Sequence, residues 1–295
     1  MLPKTGCWHT NTNSLVVNIF KTKQMIKQFA VILFSSLLIA CSGDDIVEEA
    51  VINNAPVVSD LTIERAEKAQ EVFYTIPSPM ETASLFHSLG IDYKTETTNS
   101  IKNINNYVTS GQKALNLGVY GADVSYANVF DQSEQSMLYI NCTKKMADAL
   151  DISSAFDVAT IERVEENMNN RDSLMVIIDD AFWIIDAHLK GNGQDHLSAL
   201  IMTGGWIEGL YLGTQSLDRE NPDAELMKRV AAQKSSLASL MDLLITYDNA
   251  EVMAVEQKMK ALQTAYAKVD EKAIDPVIIF KITDAVAQIR AQIIR

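Results

Sequence analysis

The chain is poor in cysteine, in proline and in short motifs that identify an enzyme. Its 295 residues include three cysteines and six prolines, so a disulfide framework and a proline-rich fibrous organisation are both excluded. No HExxH, GxSxG or GxxxxGK[S/T] pattern occurs, and the four histidines form no zinc-ligand spacing. We therefore assign no catalytic residue, no cofactor and no metal site, and regard an enzyme as the less favoured class.

Positive charge is also scarce. The chain has 25 basic and 38 acidic residues, which gives a formal net charge of -13. Nucleic acids and anionic lipid surfaces both attract cationic patches. This composition therefore excludes nucleic acid as a partner.

Strand signals are confined to short stretches such as 57–58 and 277–280. From Asp60 onward, apolar residues recur at helical spacing in nearly every segment. We predict an all-α fold, a single multi-helix bundle of about nine or ten helices over residues 61–295. A helical-repeat array is the main alternative, but no period of about 34 to 47 residues recurs.

Caps, prolines and glycines separate the predicted helices. Residues 91–109 are polar and are predicted to form loop or short helix. The predicted helices cover 60–74, a short segment from Pro79 closed by Gly90, 112–130, 131–150, a segment starting near Asp157, 171–190, 195–217, 222–247, 249–270 and 273–294.

The first forty residues contain four lysines and no acidic residue, and Phe29–Ile39 is an unbroken uncharged run. This pattern is typical of a secretory signal, and the run is shorter than the roughly 20 apolar residues of a spanning helix. We interpret residues 1–40 as a signal peptide. Met25 is a better signal start than Met1, so residues 1–24 are a candidate over-extension of the start.

Leu38-Ile39-Ala40-Cys41 resembles the lipobox of bacterial lipoproteins, in which a leucine and a small residue precede the lipid-bearing cysteine. The resemblance covers about residues 25–45. It implies that Cys41 is the lipidation site and the first residue of the mature chain. The implied partner is therefore a membrane, reached through the N-terminal lipid.

An acidic stretch, beginning with Ser42-Gly43-Asp44-Asp45, follows the cysteine. It resembles the stretch that directs lipoproteins to the outer membrane in Bacteroides-like bacteria. That resemblance implies an outer-membrane lipoprotein that faces the periplasm or the cell surface. Residues 41–60 show no helical period and are predicted to be an acidic tether.

Gly205, Gly209 and Gly213 recur every four residues inside a predicted helix. Each interior glycine costs roughly 1 kcal/mol relative to alanine, so three of them need a compensating gain. They form one flat face that admits either a neighbouring helix, the favoured interpretation, or a flat ligand. Gly118 and Gly121 are predicted to supply the facing helix.

Acidic residues at heptad spacing, Asp172, Asp179 and Asp186, share one face of a very apolar helix that also carries Trp183. A solvated stripe is the favoured interpretation, and pairing with a cation is the alternative.

Acids and aromatic residues lie close to the glycines in sequence, and aromatic faces with carboxylates suit a cation or a sugar. Ordinary core contacts are the alternative. The candidate ligand-binding residues are Asp123, Tyr126, Asp179, Trp183, Asp186, Trp206, Glu208 and Tyr211.

Two functions remain open at this point. The first is a non-catalytic, lipid-anchored envelope protein that binds a protein partner or a small ligand. The second is an enzyme that uses paired carboxylates on a glycan or a similar envelope substrate.

Overall fold

The computed structural model describes residues 60–153, 157–167 and 170–295. Every regular element in these ranges is helical, which confirms the predicted all-α class. The α-helices are α1 (Asp60–Thr75), α2 (Pro79–Ser88), α3 (Ser110–Val129), α4 (Ser133–Asp148), α5 (Val158–Glu166), α6 (Arg171–Gly191), α7 (Asp195–Thr214), α8 (Ala224–Leu244), α9 (Ala250–Tyr266) and α10 (Pro276–Ile293). Short 3₁₀ turns at Thr95–Thr97 and Ile101–Asn105 interrupt the polar stretch before α3. The predicted signal peptide, Cys41 and the tether up to residue 59 lie outside the described residues.

Side-chain caps determine where the helices begin. Ser78 and Glu81 form a capping box at the start of α2. Asp223 accepts a hydrogen bond from the backbone N–H of Leu226, so α8 begins two residues after the proline expected to open it. Asp275 accepts from Val277 in the same way, and Pro276 is the first residue of α10 because its missing N–H costs nothing there.

Helices α3 and α7 form the centre of the bundle, and nearly all of their residues are buried. A Cβ atom added to Gly118 would lie 2.0 Å from the carbonyl oxygen of Ile201, and one added to Gly204 would lie 2.0 Å from that of Leu115. The two helices therefore meet backbone to backbone. Gly118 supplies the facing helix as expected, because a Cβ added there would also lie 2.7 Å from the backbone nitrogen of Gly205. Gly204, which the spacing argument did not include, makes a second close contact, against Leu115.

The remaining glycines of α3 and α7 differ in what lies next to them. Gly121 accommodates the Phe182 ring of α6, whose Cζ lies 2.6 Å from the position of an added Cβ. Gly213 accommodates Phe86 of α2 at the same distance. A Cβ added to Gly205 would lie 3.4 Å from the carbonyl oxygen of Gly118, so Gly205 belongs to the contact between α3 and α7. A Cβ added to Gly209 would have only the Thr82 methyl group within 4 Å, at 3.7 Å. Helix α2 therefore packs beside this face of α7 through Thr82 and Phe86, but it leaves Gly209 without a tight contact.

The remaining helices surround this pair. α4 packs along α3, α6 and α10 pack against α7, and α1 packs against α8. The described residues belong to one compact unit, Val57–Arg295. None of the helices in the described part of the chain is long and apolar enough to cross a membrane.

Candidate functional site

An open cleft with a volume of about 920 Å³ lies along the face of α7 that carries Gly209. Its floor contains Gly205, Gly209 and Gly213, so no side chain rises from the helix at these three positions. Eight residues at 1.5 Å each make this floor about 12 Å long. The periodic glycines thus leave room for the cleft as well as for close packing of neighbouring residues.

The two long walls of the cleft differ in polarity. Phe86 of α2 and Phe182 and Trp183 of α6 form an aromatic wall. The opposite wall is α8, where Arg229, Gln233 and Ser236 are also lining residues. Because these three are four and three residues apart, they share one face of the helix. Helix α8 therefore adds hydrogen-bonding groups to a lining that is otherwise mostly apolar.

The polar wall is partly held in place by the protein itself. The Trp206 indole Nε1 donates to Gln233 Oε1 at 3.0 Å, and the Ser236 hydroxyl donates to the Thr75 carbonyl oxygen at 2.8 Å. Arg229 Nε donates to Glu225 Oε1 at 2.9 Å on the exposed surface of the same helix. With its oxygen engaged, the group that Gln233 presents to a ligand is its amide N–H₂.

The predicted acids Asp123 and Glu208 lie elsewhere, in the core between α3, α7 and α10. Both are completely buried, and neither lines the cleft. Arg290 binds Glu208 through two hydrogen bonds of 2.9 Å, from Nε and from Nη2. Asp123 Oδ2 accepts the backbone N–H of Asn99 at 3.0 Å. Asp123, Glu208 and Arg290, the buried triad, thus place two carboxyl groups and one guanidinium in the core.

Burial raises the pKa of Asp123 well above its ordinary value, and the negative charge of Glu208 raises it further, while Arg290 opposes the rise. Burial also raises the pKa of Glu208, against the lowering effect of Arg290. The two carboxyl groups are close enough to influence each other's pKa, and Asp123 Oδ1 has no hydrogen-bond partner among the described atoms. These directions favour a protonated Asp123 beside an ionised Glu208 that is paired with Arg290.

The triad also fixes neighbouring segments. Arg290 Nη2 donates to the Thr97 carbonyl oxygen at 3.0 Å, and the guanidinium lies 4.5 Å above the ring of Tyr211. The hydroxyl of Tyr126 accepts the backbone N–H of Lys94 at 3.1 Å. Tyr126 and Tyr211, both candidate ligand residues, therefore hold the 94–97 turn and the end of α10 in place.

The acidic residues predicted to form a stripe on α6 differ in burial. Asp186 is buried and accepts hydrogen bonds from Ser198 and from Lys190 Nζ, the latter at 2.7 Å. Asp172 is exposed. The Asp179 side chain lies outside the described atoms. Trp183, which is 53% exposed, lines the cleft.

The structure thus separates the candidate residues into two groups. Trp183, Trp206 and the three periodic glycines meet at the cleft. The other candidates with described side chains are engaged in the core or at helix contacts, namely Asp123, Tyr126, Asp186, Glu208 and Tyr211. Within the described ranges, no three His, Cys, Asp or Glu residues are grouped so that they could hold a metal ion.

Arg290 was not predicted as a partner of the acids. It follows Val286 by four residues on the buried face of α10, together with Ile282 and Ile293. A basic residue at such a position requires a buried acid, and this signal could have identified it.

Comparisons with protein-family models, with curated proteins and with solved structures find no significant match for this chain. The interpretation of the cleft therefore depends on its own geometry and chemistry.

The protonated state of Asp123 predicts an unusual pH dependence for Asp123→Asn. A carboxyl group with a raised pKa keeps its proton in the folded chain and loses it in the unfolded chain, so its contribution to stability falls as pH rises above about 4. Asparagine has the shape of the protonated acid and does not ionise. We expect the variant to be within about 1 kcal/mol of the parent at pH 4.5 and to gain up to about 1.4 kcal/mol per pH unit above that.

Urea unfolding of both chains between pH 4.5 and 8 measures this difference. Asp180→Asn is the matched control, because Asp180 is exposed and pairs with Arg163 at the surface. A constant difference between Asp123→Asn and the parent would show that Asp123 is ionised in the folded protein.

Proposed function

We propose that this protein is a non-catalytic binding module, anchored to the outer membrane by a lipid on Cys41, whose cleft beside α7 binds a small, largely apolar ligand. The observation that carries the proposal is the environment of Gly209. An interior glycine costs about 1 kcal/mol in helix stability, yet Gly209 has no close neighbour that requires the missing side chain. Open space above the helix is the compensating gain.

The dimensions and lining of the cleft support a small ligand. Sites for small molecules are typically concave, about 300–1,000 Å³ in volume, mostly apolar, and furnished with a few placed polar groups. The cleft has about this volume, an aromatic wall and three polar residues on α8. These features favour a small ligand over a protein partner.

The carboxylate enzyme is the less supported alternative. A glycosidase needs two carboxyl groups that flank a substrate cleft. Asp123 and Glu208 are completely buried, and Glu208 is neutralised by Arg290. The proposal therefore assigns the buried triad to stability and the cleft to binding.

Filling the cleft tests the binding site. Gly209→Leu places an apolar side chain on the open floor, so we expect it to abolish saturable binding of 1-anilinonaphthalene-8-sulfonate without loss of stability. Trp183 and Trp206 line the cleft, and the third tryptophan, Trp8, lies in the predicted signal peptide. Energy transfer from tryptophan to the bound dye, in a full chain that carries Trp8→Phe, therefore measures occupancy of the cleft.

Gly191→Leu is the matched control, because Gly191 is an exposed residue of α6 and a Cβ added there has no atom within 4 Å. We expect this variant to bind the dye as the parent does. Equal energy transfer in Gly209→Leu and Gly191→Leu would overturn the assignment of the cleft.

The lipid anchor has a separate test. Cys41→Ala removes the thiol that the lipobox resemblance identifies as the acylated group, so we expect the protein to leave the membrane fraction and to incorporate no labelled palmitate. Stable anchoring by lipids requires two acyl signals or more, and none remains in this variant. Cys142→Ala is the control, since Cys142 is buried in α4. Retention of Cys41→Ala in membranes would contradict the anchor.

A further inference from the structure

A second, smaller cavity of about 40 Å³ lies beyond Phe182. Its lining comes from α3, α4, α5 and α6 and is almost entirely apolar, with Leu117, Ile140, Val164 and Ile177 among its residues. Apolar cavities of this kind exclude water. Only an apolar group would occupy it favourably.

Phe182 separates this inner cavity from the cleft, because it lines both. Its ring rests in the space that Gly121 leaves by having no Cβ. The side chain is only partly buried. The apolar part of the cleft thus ends at the ring of Phe182.

The two charged residues that line the cleft differ in how firmly the protein itself engages them. Its charged lining residues in the described part of the chain are Glu81 and Arg229. The Glu81 carboxylate accepts the Ser78 backbone N–H at 2.8 Å and is engaged in the cap of α2. Arg229 is paired with Glu225 at an exposed i,i+4 contact, and such pairs contribute little to stability. Arg229 can therefore exchange Glu225 for a ligand.

A guanidinium beside an amide donor is the combination that recognises a carboxylate. Gln233 lies one turn after Arg229 on the cleft face of α8. The cleft accordingly offers anion recognition on one wall and an apolar path on the floor and the opposite wall.

We infer that the ligand is a fatty acid or another single-chain carboxylate, with its carboxylate at Arg229 and Gln233 and its chain along the glycine floor towards Phe182. Phe182 sets the longest chain that the cleft accepts. This inference depends on the proposed function and adds the chemical class of the ligand to it.

Chain-length titrations test the inference. Saturated fatty acids of 8 to 16 carbons, and the matching primary alcohols, are added below their aggregation limits to the full chain with Trp8→Phe. Tryptophan fluorescence then reports binding through Trp183 and Trp206. We expect affinity to rise about fourfold per methylene group, as burial of apolar surface predicts, and to level off at a definite length.

Two variants test separately the position of the ligand's carboxylate and the limit on its chain length. Arg229→Gln should lower the affinity for the acids about threefold, a modest loss because the guanidinium is exposed, and leave the alcohols unchanged. Arg163→Gln, at an exposed arginine outside the cleft, is its control. Phe182→Leu should move the plateau to chains about two methylene groups longer. Phe280→Leu is its control, because Phe280 is also partly buried but lines neither cavity.

The outcomes distinguish this inference from the proposed function. If fatty acids do not bind, while the sulfonate dye still binds in a manner that Gly209→Leu abolishes, the ligand class is wrong and the binding module stands. If neither probe binds, both fail. A plateau that Phe182→Leu leaves unchanged overturns the role of Phe182, and an equal loss for acids and alcohols in Arg229→Gln overturns the position of the head.

Discussion

The direct contact between the backbones of α3 and α7 is the constraint on which the rest of the structure depends. Gly118 and Gly204 have carbonyl oxygens only 2.0 Å from where their Cβ atoms would lie, so larger residues would force the helices apart. This close approach brings Asp123 of α3 and Glu208 of α7 within reach of one arginine on α10. It also directs the face with Gly209 away from α3, where it becomes the floor of the cleft.

The two sides of α7 therefore differ in charge. On its buried side, α7 carries the Glu208 carboxylate, which is neutralised by Arg290 and lies near Asp123, whose pKa is raised by burial. Removal of Glu208 or Arg290 is costly because the charge of its partner then remains in the core, which explains why this pair suits stability better than chemistry. On its open side, α7 has no charge at all, and Arg229 and Gln233 on α8 supply the polar contacts of the cleft.

The helices were predictable because their signals are local. Asp223 and Asp275 end the preceding loops, and apolar spacing marks the buried faces, so the predicted bounds differ from the observed ones by only a few residues. The glycine spacing predicted a flat face of α7, but helical period alone does not reveal which neighbour, or which empty space, that face meets. Glu208 and Arg290 are 82 residues apart in sequence, and the walls of the cleft come from four helices and the segment between α1 and α2. Such contacts follow from tertiary packing and leave no short-range pattern.

The central claim is that α7 has packing glycines and a glycine that keeps the cleft open. The most direct measurement is the free energy of unfolding of two matched substitutions, Gly204→Ala and Gly209→Ala. We predict that Gly204→Ala destabilises the protein by about 3 kcal/mol, because the added methyl group collides with the Leu115 carbonyl oxygen. Gly209→Ala should instead stabilise it by about 1 kcal/mol, the ordinary gain of alanine over glycine inside a helix. A loss of stability in Gly209→Ala similar to that in Gly204→Ala would show that both glycines serve packing, and would contradict the account.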